Sequence, residues 1–261
     1  MKSAMPMLLV KRIRQAAIAS GIHFLASLFL AILASVLVFV VWYPSPYRDL
    51  SGGRELFLLV IGVDIVCGPL LTLVLFNPAK PKAELWRDMT LVVLIQLGAL
   101  GYGLWTVWEA RPLYLVLEVD RYKVVTRPVI DQEALASLPS ALQTKWWGGP
   151  LLVGIREPKN AEEQDKILFE ALKGGRDYAE RPDFYVPYAG AAVTKALAKA
   201  RPLTMFLQKH PTQRPIAIEL AANKGADISQ WLYLPIVARQ DWVAVLDKQG
   251  QIQGFLKGDG F

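Results

Sequence analysis

Cysteine and histidine are scarce in this 261-residue sequence, which contains one cysteine and two histidines. With Cys67 as its only thiol the chain forms no internal disulfide, so its folded part must depend on core packing. His210 is the only histidine of the C-terminal half, and a protein metal site normally needs three or four ligands. The sequence therefore predicts no bound metal.

Sequence motifs of common enzymes are also missing. The chain has no G-x-S-x-G elbow, no P-loop and neither an H-E-x-x-H nor a C-x-x-C pattern. Its acidic cluster at Glu162, Glu163 and Asp165 falls in the first turn of a predicted helix, where carboxylates complement the helix dipole. We therefore expect a protein that is not an enzyme, with no catalytic residues and no cofactor.

Charged residues are nearly absent from three long segments, at about 18–43, 55–76 and 89–108. Each is long enough to cross the ~30 Å hydrocarbon core of a bilayer as a helix. No comparable run follows Trp108. The predicted fold is a membrane α-helical domain of residues 1–109 with three transmembrane helices, followed by a soluble α+β domain of residues 110–261.

Lysine and arginine are unevenly placed around these segments. Most of them precede the first segment or lie between the second and third, and few lie between the first and second. Because positive loops stay in the cytoplasm, this pattern predicts a cytoplasmic N-terminus and a periplasmic C-terminal domain in a bacterial inner membrane. The first apolar segment is too long for a signal peptide, and we interpret it as an uncleaved anchor.

The net charge of +6 is not a nucleic-acid signal. Residues 110–261 contain 20 Lys and Arg against 17 Asp and Glu, without a clustered basic face. We therefore expect no nucleic-acid partner.

Local patterns divide the C-terminal half into short elements. A hairpin is predicted at 113–126, and terminal strands from Leu232 onward turn at Asp247–Gly250. Helices are predicted at 131–138, 160–175, 191–199 and 202–209, and a strand at 150–155. Because strands and helices do not alternate regularly, we predict an α+β domain.

Asp64 is an acidic residue within the apolar run VDIVCGPLLTLVLF, residues 63–76. An acid near mid-bilayer costs about 2.5–3.5 kcal/mol, and no Lys or Arg lies in any of the three segments. Pro69 should free a carbonyl and kink the helix. One alternative is a protonated Asp64 that bonds to Ser35, Tyr102 or the freed carbonyl. The others are an external partner, such as another transmembrane helix with a donor or cation at that depth, and a proton or ion pathway, which would normally need several acids or histidines.

Small or polar residues recur at helical spacing in each segment. The three lines are His23, Ser27, Ala31 and Ser35; Asp64, Gly68 and Thr72; and Gln96, Ala99 and Gly103. Such lines either pack the three helices together or receive an additional helix. In the later loop RPDFYVPYAG, Phe184 and Tyr185 either form a binding surface or fill the core beneath it.

An ordered set of stretches carries a resemblance to a known family. These are WYPSPY, SGG, VDIVCGPLLTLVLF, KPKAELWRD, IQLGALGYG, ARPLYLVLEVDRYKVV and LPIVARQDWVAVLD. The chain resembles the TfpX/TfpZ type IV pilin accessory proteins over nearly its whole length. The resemblance implies an inner-membrane protein that helps a major type IV pilin assemble into surface pili, with the assembly machinery as a second partner.

The resemblance suggests what Asp64 is for. Pilins wait in the membrane as single apolar N-terminal helices with an acidic residue and a free amine near the start. The resulting partner-binding hypothesis names Asp64, Gly68, Pro69, Thr72, Gln96, Phe184 and Tyr185. The alternatives are a membrane-anchored periplasmic ligand-binding sensor and an enzyme of pilin modification that acts on lipid-linked sugars.

Overall fold

A computed structural model describes residues 4–261, with side chains described from Val10 onward. The chain forms two compact units. One, the helical unit, comprises the chain up to Val40 together with Arg54–Trp108. The other, the sheet unit, comprises Val41–Gly53 and Glu109–Phe261. We call residues 41–53, which belong to the sheet unit although they lie between two long helices, the linking loop.

Nine α-helices lie within the described part of the chain. They are α1 (Ala4–Val36), α2 (Tyr47–Leu50), α3 (Gly53–Leu75), α4 (Lys82–Glu109), α5 (Gln132–Ala136), α6 (Ala161–Leu172), α7 (Ala191–Lys199), α8 (Leu203–Lys209) and α9 (Arg214–Lys224). A π-helical stretch, Leu37–Trp42, continues α1.

Three of these helices are long and apolar enough to cross a membrane, over Val10–Trp42, Gly53–Leu75 and Lys82–Glu109. This confirms the number and order of the long helices that the sequence predicts. The first and third begin earlier than expected, because strong helix formers such as Lys82 and Glu84 extend the helix beyond the apolar run. Leu59, Val66 and Leu94 are exposed on the helix surfaces, as suits contact with lipid.

The sheet unit is built on one mixed sheet of eight strands. These are β1 (Pro112–Leu117), β2 (Tyr122–Thr126), β3 (Leu151–Ile155), β4 (Tyr185–Pro187), β5 (Arg201–Pro202), β6 (Leu232–Val237), β7 (Trp242–Leu246) and β8 (Ile252–Lys257). The order across the sheet is β4-β3-β1-β2-β6-β7-β8, and β5 pairs with β6 off this path. A mixed sheet domain therefore follows the three long helices.

Hairpin pairing in this sheet agrees with the sequence. Strands β1 and β2 are antiparallel, and β6, β7 and β8 follow one another as antiparallel neighbours. Two parallel pairs, β1 with β3 and β2 with β6, join the hairpins into one sheet. Asn160 caps α6 by accepting a hydrogen bond from Glu163 N at 2.8 Å, as its sequence position predicts.

The linking loop is part of the core of the sheet unit. Leu50 is fully buried in the same cluster as Leu115, Leu234 and Ala244, which come from β1, β6 and β7. The Tyr47 ring lies 5.9 Å from that of Phe255. Gln240 N donates to Leu50 O at 3.1 Å. A segment that the sequence shows only as a short connection thus packs as an element of the sheet unit.

Candidate functional site

Gln96 connects the three long helices. Its Nε2 donates to Ser27 Oγ at 2.9 Å and to the backbone oxygen of Asp64 at 3.1 Å. Ser27 lies on α1, Asp64 on α3 and Gln96 on α4. Within an apolar surrounding such amide bonds hold helices in one register. The polar lines seen in the sequence therefore do pack helices against one another.

Gly68 leaves the space that the Gln96 amide occupies. A Cβ at position 68 would overlap Gln96 Oε1, whereas a Cβ at Gly62, on the same helix, would meet nothing within 4 Å. Glycine at position 68 thus lets α3 and α4 approach closely enough for the Gln96 hydrogen bonds.

Pro69 and Thr72 face α1. Ser20 Oγ donates to Pro69 O at 2.8 Å, and His23 Nδ1 lies 2.6 Å from Thr72 Oγ1. Thr72 is buried. Both residues of the binding hypothesis therefore take part in contacts with the first helix of the same chain, and α3 remains helical through Pro69.

The Asp64 side chain is largely buried, with 6% of its surface exposed. Among the residues that the structure describes, Asp64 Oδ1 and Gln96 Oε1 are buried without a hydrogen-bond partner. Ser35 Oγ donates instead to Ala31 O at 2.7 Å, and Tyr102 is 70% exposed. Neither of these expected partners satisfies Asp64 Oδ1. A buried acceptor of this kind carries a desolvation cost that a proton or an incoming donor would remove.

A groove of about 440 Å³ opens beside this acid. Asp64, Gly68 and Gln96 line it, and the remaining walls are largely aliphatic, including Val63, Leu71, Val92, Ile95 and Ala99. Both walls come from the helical unit, α3 on one side and α4 on the other. An apolar partner that brings one hydrogen-bond donor has the chemistry that fits such a groove.

Phe184 and Tyr185 are buried in the sheet unit. The Tyr185 ring lies 4.8 Å from that of Tyr114, and its hydroxyl donates to Ala179 O at 2.5 Å. The Arg156 guanidinium lies 3.9 Å from the centre of the Phe184 ring. These contacts are those of core residues. Of the two alternatives for this loop, they agree with the one in which its aromatic side chains fill the core.

Glu118 is the one acid in the apolar stretch LYLVLEV, and no sequence motif marks it as functional. It lines a pocket of about 380 Å³ with Arg156, Tyr178 and Lys195. Burial, followed by the nearby Asp177 carboxylate, raises the pKa of Glu118, whereas Lys123 opposes the shift.

Among residues 4–261, no group of three or more His, Cys, Asp or Glu side chains is arranged to hold a metal ion.

The chain is similar to known fimbrial assembly proteins, in part or along most of its length. A family model described as fimbrial assembly protein FimB matches residues 11–52. The serogroup I fimbrial assembly protein of Dichelobacter nodosus is 36% identical over 246 residues, which cover 93% of this chain and 95% of that protein. The serogroup E1 protein of the same organism is 35% identical over the same shares of both chains.

A shorter relative, the Dichelobacter nodosus fimbrial assembly protein of serogroups C1 and C2, is 44% identical over 122 residues, 47% of this chain and 91% of that protein. No solved structure matches the chain. Because two relatives above 30% identity align along almost their full length, the chain belongs to the family of fimbrial assembly proteins.

Proposed function

We propose that this protein is an inner-membrane assembly factor for type IV pili, and that it acts by binding pilin without catalysing a reaction. The observation that carries the proposal is the similarity, over 93% of the chain, to proteins named for fimbrial assembly. The resemblance to the TfpX/TfpZ accessory proteins supplies the finer assignment to type IV pilin.

Membrane insertion is part of the proposal. Three helices have the length and composition of membrane spans, and aliphatic side chains such as Leu59 and Leu94 are exposed on them. Exposure of this apolar surface to water would cost free energy, whereas its contact with lipid would not. The positive residues around the spans favour a cytoplasmic N-terminus and a periplasmic sheet unit.

The groove beside Asp64 is the proposed contact with pilin. Its aliphatic walls suit the apolar N-terminal helix of a pilin that waits in the membrane. The free Asp64 Oδ1 suits a donor on that helix, such as its terminal amine. Gly68 and Gln96 shape the groove from either side, whereas Pro69 and Thr72 support it through α1.

The test is complementation of a deletion strain with the wild type, Asp64→Asn or Ser35→Ala. Asp64→Asn exchanges the acid for an amide that cannot pair with an amine as an anion. We expect less pilin to co-purify with this variant and less surface pilin. Ser35→Ala is the control, because its hydroxyl bonds within its own helix, and it should behave as the wild type.

Membrane-fraction levels of each variant separate failed insertion from failed binding. Wild-type pilin association by a normally inserted Asp64→Asn variant would contradict the groove as the contact. Unchanged surface pilin and unchanged processed pilin in the deletion strain itself would contradict the assembly role.

A further inference from the structure

Two adjacent tryptophans stand out on the surface of the sheet unit. Trp146 is 59% exposed and Trp147 is 56% exposed, and their rings meet edge to face with centroids 5.1 Å apart. Lys145 Nζ lies 6.0 Å from the centre of the Trp147 ring. A single exposed aromatic residue needs no explanation, but two neighbouring tryptophans with a cation form a surface suited to an interface.

The backbone that carries them is held in place. We call residues 143–149 the Trp loop. Gly148 N donates to Lys145 O at 3.1 Å and closes a turn around the two tryptophans. At its base, Gln143 Nε2 donates to Leu138 O, and the buried Tyr114 hydroxyl donates to Leu142 O, each at 2.8 Å. The indole rings are therefore exposed on a fixed turn.

The Trp loop contacts two segments of the sheet unit that directly follow long apolar helices in the chain. Arg111, two residues after the end of α4, donates from Nη1 to Trp146 O at 2.8 Å. Gly149 packs so closely on Pro44 that a Cβ there would lie 2.9 Å from Pro44 Cγ. Pro44 in turn follows Trp42, the end of the first candidate span, by two residues. All these contacts lie within the sheet unit.

We propose that Trp146 and Trp147 insert into the headgroup layer of the phospholipid bilayer that holds the three helices, with Lys145 beside the lipid phosphates. The proposal rests on the membrane insertion in the proposed function. Arg111 and Pro44 each follow a candidate membrane span by only two residues, and both contact the Trp loop. This loop is therefore expected near the bilayer surface. Tryptophan favours this layer because its ring is apolar while its N–H can bond to polar headgroups.

The experiment measures immersion depth by spin labelling of the full chain. In a Cys67→Ala background, single cysteines replace Trp146, Trp147, Leu172 or Ile95, and the labelled protein is placed in nanodiscs of phosphatidylethanolamine and phosphatidylglycerol. Both tryptophans are exposed, and Arg111 donates to the backbone oxygen of Trp146, so each substitution leaves this hydrogen bond in place. Leu172 is 74% exposed on α6 and serves as the water-facing control, and Ile95 is exposed on α4 and reports membrane insertion.

We expect the ratio of oxygen accessibility to nickel-chelate accessibility at 146 and 147 to be severalfold higher than at 172, though lower than at 95. Ratios at 146 and 147 equal to that at 172, with a high ratio at 95, would overturn the lipid contact alone and leave the Trp loop free for a protein partner. A ratio at 95 as low as that at 172 would overturn both this inference and the membrane insertion on which it rests.

Discussion

Gln96 shows how far a single residue can be understood from sequence. Its place in a line of small and polar residues predicted that it faces another helix. That it reaches both Ser27 and the Asp64 carbonyl depends on which helix faces meet, and that is decided by packing along whole helices. The sequence does not predict the contact between His23 and Thr72 for the same reason.

For Phe184 and Tyr185, local sequence does not determine whether the side chains face solvent or the core. From the sequence, their loop is either a binding surface for a partner or a segment whose aromatic side chains fill the core beneath it. The contact with Tyr114, which is far away in sequence, and the hydrogen bond to Ala179 O show that Tyr185 belongs to the core. Side-chain direction in a loop follows from long-range contacts, which leave no local pattern.

Glu118 leads to a prediction about pH. Burial raises its pKa above the ordinary 4.5, so the folded state holds the proton more strongly than the unfolded chain does. This contribution to stability is fully present below pH 4.5 and is lost as the pH rises through the folded pKa. Glu118→Gln should therefore weaken the pH dependence of unfolding and stabilise the sheet unit at pH 7 by about 1 kcal/mol or less, since the side chain is partly exposed.

The measurement is urea unfolding of the full chain in detergent between pH 4 and pH 8. Glu157→Gln is the control, because Glu157 is an exposed carboxylate on the same pocket and its loss changes the net charge equally. A Glu118→Gln variant that is less stable than wild type at pH 7 would show that its carboxylate is stabilised, not penalised, by its surroundings.

Among the elements, those with local end signals were predictable from sequence. The cap at Asn160 and the positive φ of Gly174 bound α6, as expected. Helix α9 was not predicted, although Pro215 near its start and Gly225 at its end, with φ of 62°, are such signals. The parallel pairing of β1 with β3 carries no local signal, because the two strands are joined by a long crossover.

The burial of Leu50 in the linking loop leads to a prediction about the stability of the sheet unit. Leu50→Ala should lower the free energy of unfolding of the sheet unit by about 2–5 kcal/mol, because it empties a fully buried site. Leu172→Ala removes the same atoms from an exposed position on α6 and should have little effect. Urea unfolding of the detergent-solubilised full chain measures both. Equal effects of the two substitutions would contradict the packing of the linking loop in this core.

For the whole molecule, the distribution of charge makes a prediction about orientation. Alkaline phosphatase, which needs disulfides and is active only outside the cytoplasm, should be active when fused after Phe261 and inactive when fused after Asp88. The second fusion keeps Lys80, Lys82 and Arg87, which favour retention of that loop in the cytoplasm. Immunoblots show that both fusions are made. The reverse pattern of activity would contradict a cytoplasmic N-terminus.

The burial of Leu50 also sets an order of events in the making of the protein. Its neighbours Leu234 and Ala244 come from strands near the end of the chain. The linking loop is synthesised early, yet its core site is completed only when β6 and β7 have emerged. Until then Leu50 and Tyr47 have no native partners in those strands. The core of the sheet unit is therefore incomplete until synthesis has passed β7, and a gene cut after residue 109 would separate this loop from the strands that complete it.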